Sequence, residues 1–247
     1  MAYHITEILE NKEIAPGIYS LRVPAGEPVK PGQFYMLRRQ DDRVLLPRAI
    51  SVCDWSPQSL RFLYQVVGRG TRGLSRLREG DKLCLTGPLG NGFPVTELKG
   101  RVALVGGGIG AAPMLYAARR LQALGVEADC VMGYRDTPFL TGELESVCHG
   151  LSIATESGAA GQKGYVTGLL APGGYDTVLT CGPTPMLRAV VELCREAGTP
   201  VYVSLENKMA CGLGACLVCT CTDLAGQNRR TCKDGPVFRG EEINFDA

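Results

Sequence analysis

The sequence predicts a multidomain α and β protein: an N-terminal antiparallel β-barrel, a parallel α/β domain and a small cysteine-rich module at the C-terminus. Three observations carry this. Residues 1–98 alternate polar and apolar side chains between turn signals. Beyond Gly100, continuous apolar strands alternate with helical stretches. Five of the 11 cysteines fall between Cys211 and Cys232.

The first region, 1–98, opens with T-E-I-L-E-N-K-E-I-A and G-I-Y-S-L-R-V, patterned as half-buried antiparallel strands. Q-F-Y-M-L, A-I-S-V, L-R-F-L-Y-Q-V-V and K-L-C-L-T follow, separated by Pro31-Gly32, Asp41-Asp42, Ser56-Pro57 and Glu79-Gly80. Short strands at such spacing predict a closed or nearly closed barrel. The second region, 99–205, begins with R-V-A-L-V, apolar throughout, as a strand buried on both faces must be. Helices are expected from Ala111 to Leu124 and from Pro185 to Ala197, between further strands A-D-C-V-M-G-Y, L-S-I-A-T, D-T-V-L-T-C and V-Y-V-S-L. The third region, 206–247, is too short and too rich in Gly and Cys to build much core, so a bound group is expected to stabilise it.

Charge and composition exclude several classes. Lys and Arg number 26 against 25 Asp and Glu, a balance unlike that of a nucleic-acid-binding protein. No apolar run approaches the ~18 residues of a membrane span, and M-A-Y-H-I-T-E-I-L-E lacks the layout of a leader. A soluble, cytoplasmic protein is expected. Only His4 and His149 exist and neither sits in a motif; no nucleophile–base–acid constellation is visible, so no catalytic residue is assigned.

The cysteine spacing is specific. Cys211, Cys216, Cys219 and Cys232 form C-x4-C-x2-C-x12-C, the plant-type pattern for a [2Fe–2S] cluster. Three thiolates on one tight loop reach two irons, Gly212 and Gly214 let the backbone curl around the sulfides, and the fourth cysteine returns from farther along. Cys221 is read as a bystander. Structural zinc is the alternative, but zinc sites usually have a second close pair, absent here. Cys53, Cys84, Cys130, Cys148, Cys181 and Cys194 are scattered through apolar runs and read as inert thiols.

Two nucleotide signals lie upstream. Strand, G-G-G-I-G-A-A-P, helix is a dinucleotide-type turn over Gly106, Gly107, Gly108 and Gly110. The next strand ends M-G-Y-R-D with no clear acid for a ribose; Arg135 could face a 2′-phosphate or be a solvated charge, so NAD and NADP stay open. Cys181-Gly182-Pro183 marks another strand end, where an open parallel sheet has its crevice. In the β region, P-R-A-I-S carries Arg48, Ile50 and Ser51, and V-G-R-G-T-R-G-L carries Gly70 and Thr71 at a helix start. An Arg and a helix start can share a pyrophosphate, and a Ser can hydrogen-bond an isoalloxazine ring. Read singly, each is an ordinary turn or barrel rim.

Together, in this order, these motifs resemble the ferredoxin–NADP reductase superfamily. With C-G-L-G-A-C-L-V-C and C-K-D-G-P-V-F they resemble, over essentially the whole chain, the electron-transfer subunits of class 1B, NAD-dependent dihydroorotate dehydrogenases. The resemblance implies FAD held by Arg48, Ala49, Ile50, Ser51, Leu63, Tyr64, Gln65, Gly70 and Thr71. Ala49 stands where the family usually has Pro. It implies NAD at Gly106, Gly107, Gly108, Gly110, Cys181 and Gly182, and a [2Fe–2S] cluster on Cys211, Cys216, Cys219 and Cys232. It also implies an FMN-containing catalytic partner subunit that oxidises dihydroorotate, with two copies of each subunit. The alternatives are the NAD(P)H-reacting subunit of a hydrogenase or of a ferredoxin–NADP transhydrogenase complex, and a zinc-stabilised nucleotide sensor without flavin.

Overall fold

The computed structural model describes residues 2–40 and 44–246; the expected turn at Asp41-Asp42 lies outside them. Seven antiparallel strands form the N-terminal part: β1 (Ala2–Glu7), β2 (Glu10–Ala15), β3 (Ile18–Pro24), β4 (Phe34–Arg39), β5 (Arg48–Trp55), β6 (Ser59–Gln65) and, after the short helix α1 (Arg69–Leu74), β7 (Lys82–Leu89). Their order is β1-β7-β4-β5-β6-β3-β2. β1 and β2 sit at opposite edges, yet only Ile8 and Leu9 separate them in the chain. The sheet must therefore curl until its edges meet. At the seam the Ile8 N–H donates to Asp81 O, before β7, while the Leu9 N–H donates to Arg22 O of β3, both at 2.9 Å. The interior is filled by alternate residues of the strands, among them Leu21, Val23, Leu37, Val52, Phe62, Leu83 and Leu85.

The second part is a parallel sheet: β8 (Arg101–Gly107), α2 (Ala111–Ala123), β9 (Glu127–Tyr134), α3 (Thr141–Glu145), β10 (Gly150–Thr155), β11 (Gln162–Lys163), β12 (Thr177–Cys181), α4 (Thr184–Ala197) and β13 (Val201–Ser204). After its exposed first residue, Arg101, β8 is apolar because both faces are covered: Val102 and Leu104 pack under α2, Ala103 and Val105 under α4. Strand order is β11-β10-β9-β8-β12-β13. The chain winds outward from β8 in one direction and then crosses to β12 on its other side. That reversal opens a crevice beyond the carboxyl ends of β8 and β12.

The C-terminal segment adds a small hairpin, β14 (Thr220–Thr222) and β15 (Asn228–Arg230), then β16 (Val237–Arg239). β16 pairs antiparallel with β13 and completes the nucleotide-domain sheet. The segment is also tied to the barrel. The Asn91 side chain donates to Asp234 O and Val237 O and accepts from the Val237 N–H, at 2.9–3.1 Å.

The two larger parts are packed through α2, whose residues share a core with Ile18, Cys53 and Leu63 of the barrel. Tyr116 on α2 reaches across and donates to Val29 O at 2.7 Å in a buried bond. Tyr116→Phe leaves that carbonyl unsatisfied without creating a cavity. We expect it to cost about 1–3 kcal/mol, read as a lower urea midpoint with an unchanged slope.

Candidate functional site

The four cysteines of the predicted motif come together as two pairs. The Cys211 thiol meets that of Cys216, and the Cys232 thiol meets that of Cys219. A mononuclear zinc site gathers its donors about one centre, whereas a [2Fe–2S] cluster has two thiolates on each of two irons. The donor set fits the binuclear group. Backbone N–H groups already point at sulfur: Leu213 to Cys211 Sγ at 3.3 Å and Gly214 to Cys232 Sγ at 3.1 Å. Burial opposes ionisation of Cys211, but the N–H groups of Leu213, Cys216 and Ala215 and the Cys216 thiol overcome it and hold the group at about 6. Burial and the neighbouring Cys219 push Cys232 up to about 12.

The loop lies on the barrel. Cys219 and Cys232 pack with Phe34, Met36 and Leu89, with Ala49 and Met209 at the margin. Gly212 makes this possible: a Cβ there would sit 2.7 Å from Met36 Cγ. Asn207 donates to Cys219 O at 3.4 Å and to Thr231 Oγ1 at 3.0 Å, and Arg230 pairs with Asp234 at 3.0 Å, bracing the return strand. Cys221 faces the other way, against the apolar group that packs under α4, in keeping with its reading as a bystander. Of the remaining cysteines, Cys53, Cys84, Cys130 and Cys194 are buried, and Cys148 and Cys181 are partly so.

The second predicted motif, Arg48 to Ser51, opens β5, and all four residues are half-buried. β5 pairs with β4 over this stretch, from Leu37↔Arg48 to Phe34↔Ser51. Its pairing with β6 begins only at Val52↔Phe62. A gap therefore opens between residues 48–51 and residues 63–65, with unladdered backbone on both sides. Gly70 stands at one end of it, against the Arg48 guanidinium; a Cβ on Gly70 would fall 2.1 Å from Arg48 Nε. The structure thus brings both halves of the expected pyrophosphate site together.

Two details differ from the sequence expectation. Leu63 and Tyr64 turn their side chains into cores. Leu63 packs in the interface core with α2, and Tyr64 donates to Asn11 Oδ1 at 3.0 Å and stacks on Tyr19. What they present to the gap is backbone, while the Gln65 side chain is exposed. The Thr71 hydroxyl is also occupied locally: it accepts from the N–H groups of Val67 at 3.0 Å and Gly68 at 3.2 Å, fixing the start of α1.

The glycine-rich turn closes β8 and leads into α2 through the 3-10 turn Gly108–Gly110. Gly110 is packed against the end of β12: a Cβ there would meet Cys181 O at 2.1 Å. A Cβ on Gly182 would meet Met186 Cε at 2.6 Å and the Gly107 backbone at 3.1 Å, one on Gly107 would meet the Met186 sulfur, and one on Gly106 the Met132 sulfur. Gly108, with φ +53°, has open space where its Cβ would be. The six predicted residues therefore meet at the crevice of the sheet, with Gly108 as the open point. Burial pushes the Cys181 thiol up to about 12, helped by the Glu206 carboxylate and opposed by a hydrogen bond with Ser204. Arg135 is exposed just past β9, and His149 pairs with Asp129 at 3.1 Å on the surface.

Sequence reasoning missed Met36, Asn91 and Asn207, which act on residues distant in the chain, and the Arg230–Asp234 pair, a local i,i+4 contact. The only local signal was the Gly90-Asn91-Gly92 turn, which announces a loop and says nothing of its partner.

Comparison with known proteins agrees with this geometry. A family model described as the iron–sulfur cluster binding domain of dihydroorotate dehydrogenase B matches residues 206–244. The chain is 46% identical over 241 residues to the dihydroorotate dehydrogenase B (NAD(+)), electron transfer subunit, of Clostridium acetobutylicum, covering 98% of this chain and 97% of that one. The subunit of the same name from Clostridium perfringens is 46% identical over 247 residues, covering 99% of both. Among solved structures, the NADH-dependent reduced ferredoxin–NADP oxidoreductase, studied for flavin-based electron bifurcation, aligns with a TM-score of 0.87 and 31% identity over 98% of this chain and 91% of that one. A ferredoxin NADP+ reductase from Neisseria gonorrhoeae, at 17% identity and a TM-score of 0.65, shares the fold over 83% of this chain and 94% of that one. By sequence identity over nearly its whole length, the chain belongs to the family of dihydroorotate dehydrogenase B electron transfer subunits.

Proposed function

We propose that this chain passes electrons from a dihydroorotate-oxidising, FMN-containing partner subunit through a [2Fe–2S] cluster and FAD to NAD+, in pyrimidine biosynthesis. One observation carries the reading: Met36 touches the cysteine loop at Gly212 and pairs in register with Ala49 on the Arg48–Ser51 strand. The cysteine loop and the flavin strand thus share one side chain as a neighbour. The identity of 46% to the electron transfer subunits, against 31% to the ferredoxin–NADP oxidoreductase, favours the first reading over the transhydrogenase alternative with the same cofactors.

The bound groups supply the chemistry: one-electron transfer at the cluster, and one- or two-electron transfer at the flavin, including hydride exchange with the nicotinamide. The residues hold and insulate. Cys211 and Cys216, which meet each other, and Cys219 and Cys232, which do likewise, would hold the cluster, and the N–H groups of Leu213 and Gly214 would offset negative charge on sulfur. Arg48 and the start of α1 hold the FAD pyrophosphate. The unladdered edges at 48–51 and 63–65 meet the rest of the flavin, with Ser51 offering a hydroxyl. The turn over Gly106, Gly107, Gly108 and Gly110, beside Cys181 and Gly182, receives the NAD pyrophosphate at the start of α2. Phe34, Met36 and Leu89 pack with Cys219 and Cys232, with Met209 at the margin, and would keep water from that side of a bound cluster. This gives three working units: 1–98 for FAD, 99–205 for NAD and 206–247 for the cluster.

Leu213, Leu217, Val218 and Leu224 are large apolar side chains left exposed on or beside the cysteine loop. They suit docking of the partner subunit, in an assembly with two copies of each. Among the described residues no helix is long and apolar enough to cross a membrane. The cytoplasm is the compartment we propose, on the likeness to the electron transfer subunits.

The first measurement is an anaerobic visible spectrum with iron, sulfide and released flavin quantified. Two irons and one FAD per chain are expected; a colourless, zinc-containing protein overturns the reading. Cys216→Ser is expected to lose the cluster and keep FAD. Gly70→Ala is expected to displace the Arg48 side chain and lower FAD affinity about tenfold, a loss near 1.4 kcal/mol, with the cluster retained. Unchanged flavin occupancy in Gly70→Ala would remove Arg48 from the site.

A further inference from the structure

The elements that carry the two nucleotide sites are joined a second time, away from those sites. β5 begins with Arg48–Ser51 and carries Asp54 beyond the point where it changes partner. α2 begins at the glycine-rich turn and carries Arg119 about 12 Å along its axis. The Arg119 Nε and Asp54 Oδ2 lie 3.3 Å apart. A second pair crosses the same seam: Arg61 on β6 holds both carboxylate oxygens of Glu143 on α3 at 2.8 Å. Arg119 also donates to Glu143 at 3.1 Å, and Arg61 Nε donates to Ser20 Oγ at 2.9 Å. Two cations and two anions, two from each domain, thus form one chain of contacts.

Arg61 is 4% exposed, so this arrangement pays a heavy desolvation cost. An apolar pair of similar volume stabilises such an interface as well or better. What the guanidinium adds is direction: its Nη1 is shared between both Glu143 oxygens while its Nε donates to Ser20 Oγ, and bonds at two nitrogens of one rigid plane fix angle as well as distance. Hydride transfer is the step that needs such control. Nicotinamide and flavin belong to different domains, and reacting atoms must approach to ~3–3.5 Å in line. A rotation of about 5° about the clamp swings the glycine-rich turn by about 1 Å over that lever arm.

Resting on the function proposed above, we propose that Arg61 and Glu143, with Arg119 and Asp54, are positioning residues that set the angle between the FAD and NAD domains for hydride transfer. They touch neither nucleotide. Their loss leaves both sites intact and misaligns them.

The test uses the holoprotein with FAD and cluster bound. The double variant Arg61→Met/Glu143→Leu replaces the pair with apolar side chains and leaves no orphaned charge in it. It is expected to keep wild-type FAD and iron content and to bind NAD+ with a Kd within about twofold. Flavin reduction by saturating NADH, followed by stopped flow, is expected to slow 10- to 100-fold, the scale of a misplacement near 1 Å. The change in flavin absorption on NAD+ binding, a signature of ring stacking, is expected to shrink in parallel. Arg61→Lys keeps the charge but has one nitrogen in place of the Nε and Nη1 that reach Ser20 and Glu143; it is expected to fall between the two, and it provides the test if the double variant does not fold. Reduction within twofold of wild type in a folded variant overturns the proposal, as does a Kd for NAD+ that rises in step with the lost rate. A wild-type holoprotein that NADH does not reduce overturns the functional reading itself, and the proposal with it.

Discussion

β5 cannot run alongside both neighbours for its whole length, and the rest of the molecule is arranged around that fact. Its first half is laddered to β4 and its second half to β6. The curl of the barrel forces the change, because strands on a strongly bent sheet diverge at one end. The divergence leaves two backbone edges facing a slot, and Arg48 stands at the slot's mouth against Gly70. On the opposite edge of the same half-strand, β4 places Met36 beneath the cysteine loop. The second half-strand packs against α2, which begins at the crevice of the nucleotide sheet. One partner exchange in one strand therefore sets the mutual positions of three sites.

Much of this was legible in residue patterns. Alternation marked the barrel strands, and the unbroken R-V-A-L-V marked a strand covered on both faces. The cysteine spacing marked the four thiols as one set, three on a tight loop and the fourth on a returning segment; which thiol meets which came from the structure. What stayed hidden depends on contacts between distant residues. Asn91 and Val237 are 146 positions apart, and no local periodicity records their bond. β16 reads as an isolated V-F-R, too short to assign a partner without seeing the open edge of β13. Leu63 and Tyr64 sit beside the slot in sequence, but their side chains are claimed by cores on the two sides of the sheet. Thr71 looks like a ligand residue and spends its hydroxyl on its own helix start, as such residues at helix beginnings commonly do.

The cysteine segment shows how a region with little core stays ordered. Its own apolar content is small, so it borrows from both neighbours: Phe34, Met36 and Leu89 from the barrel, Val203 and its companions from the nucleotide sheet. Hydrogen bonds from Asn91 and Asn207 hold the backbone where packing is thin.

The addition of β16 beside β13 bears on how such a protein came to be assembled. A module appended to a finished two-domain reductase would be expected to hang from a linker and to be removable. Here, removal would strip β13 of its outer neighbour and bare a row of unpaired peptide groups, an invitation to intermolecular association. The cluster-bearing segment contributes a strand to the sheet of its neighbour, so it cannot be cut away without changing the sheet that receives it.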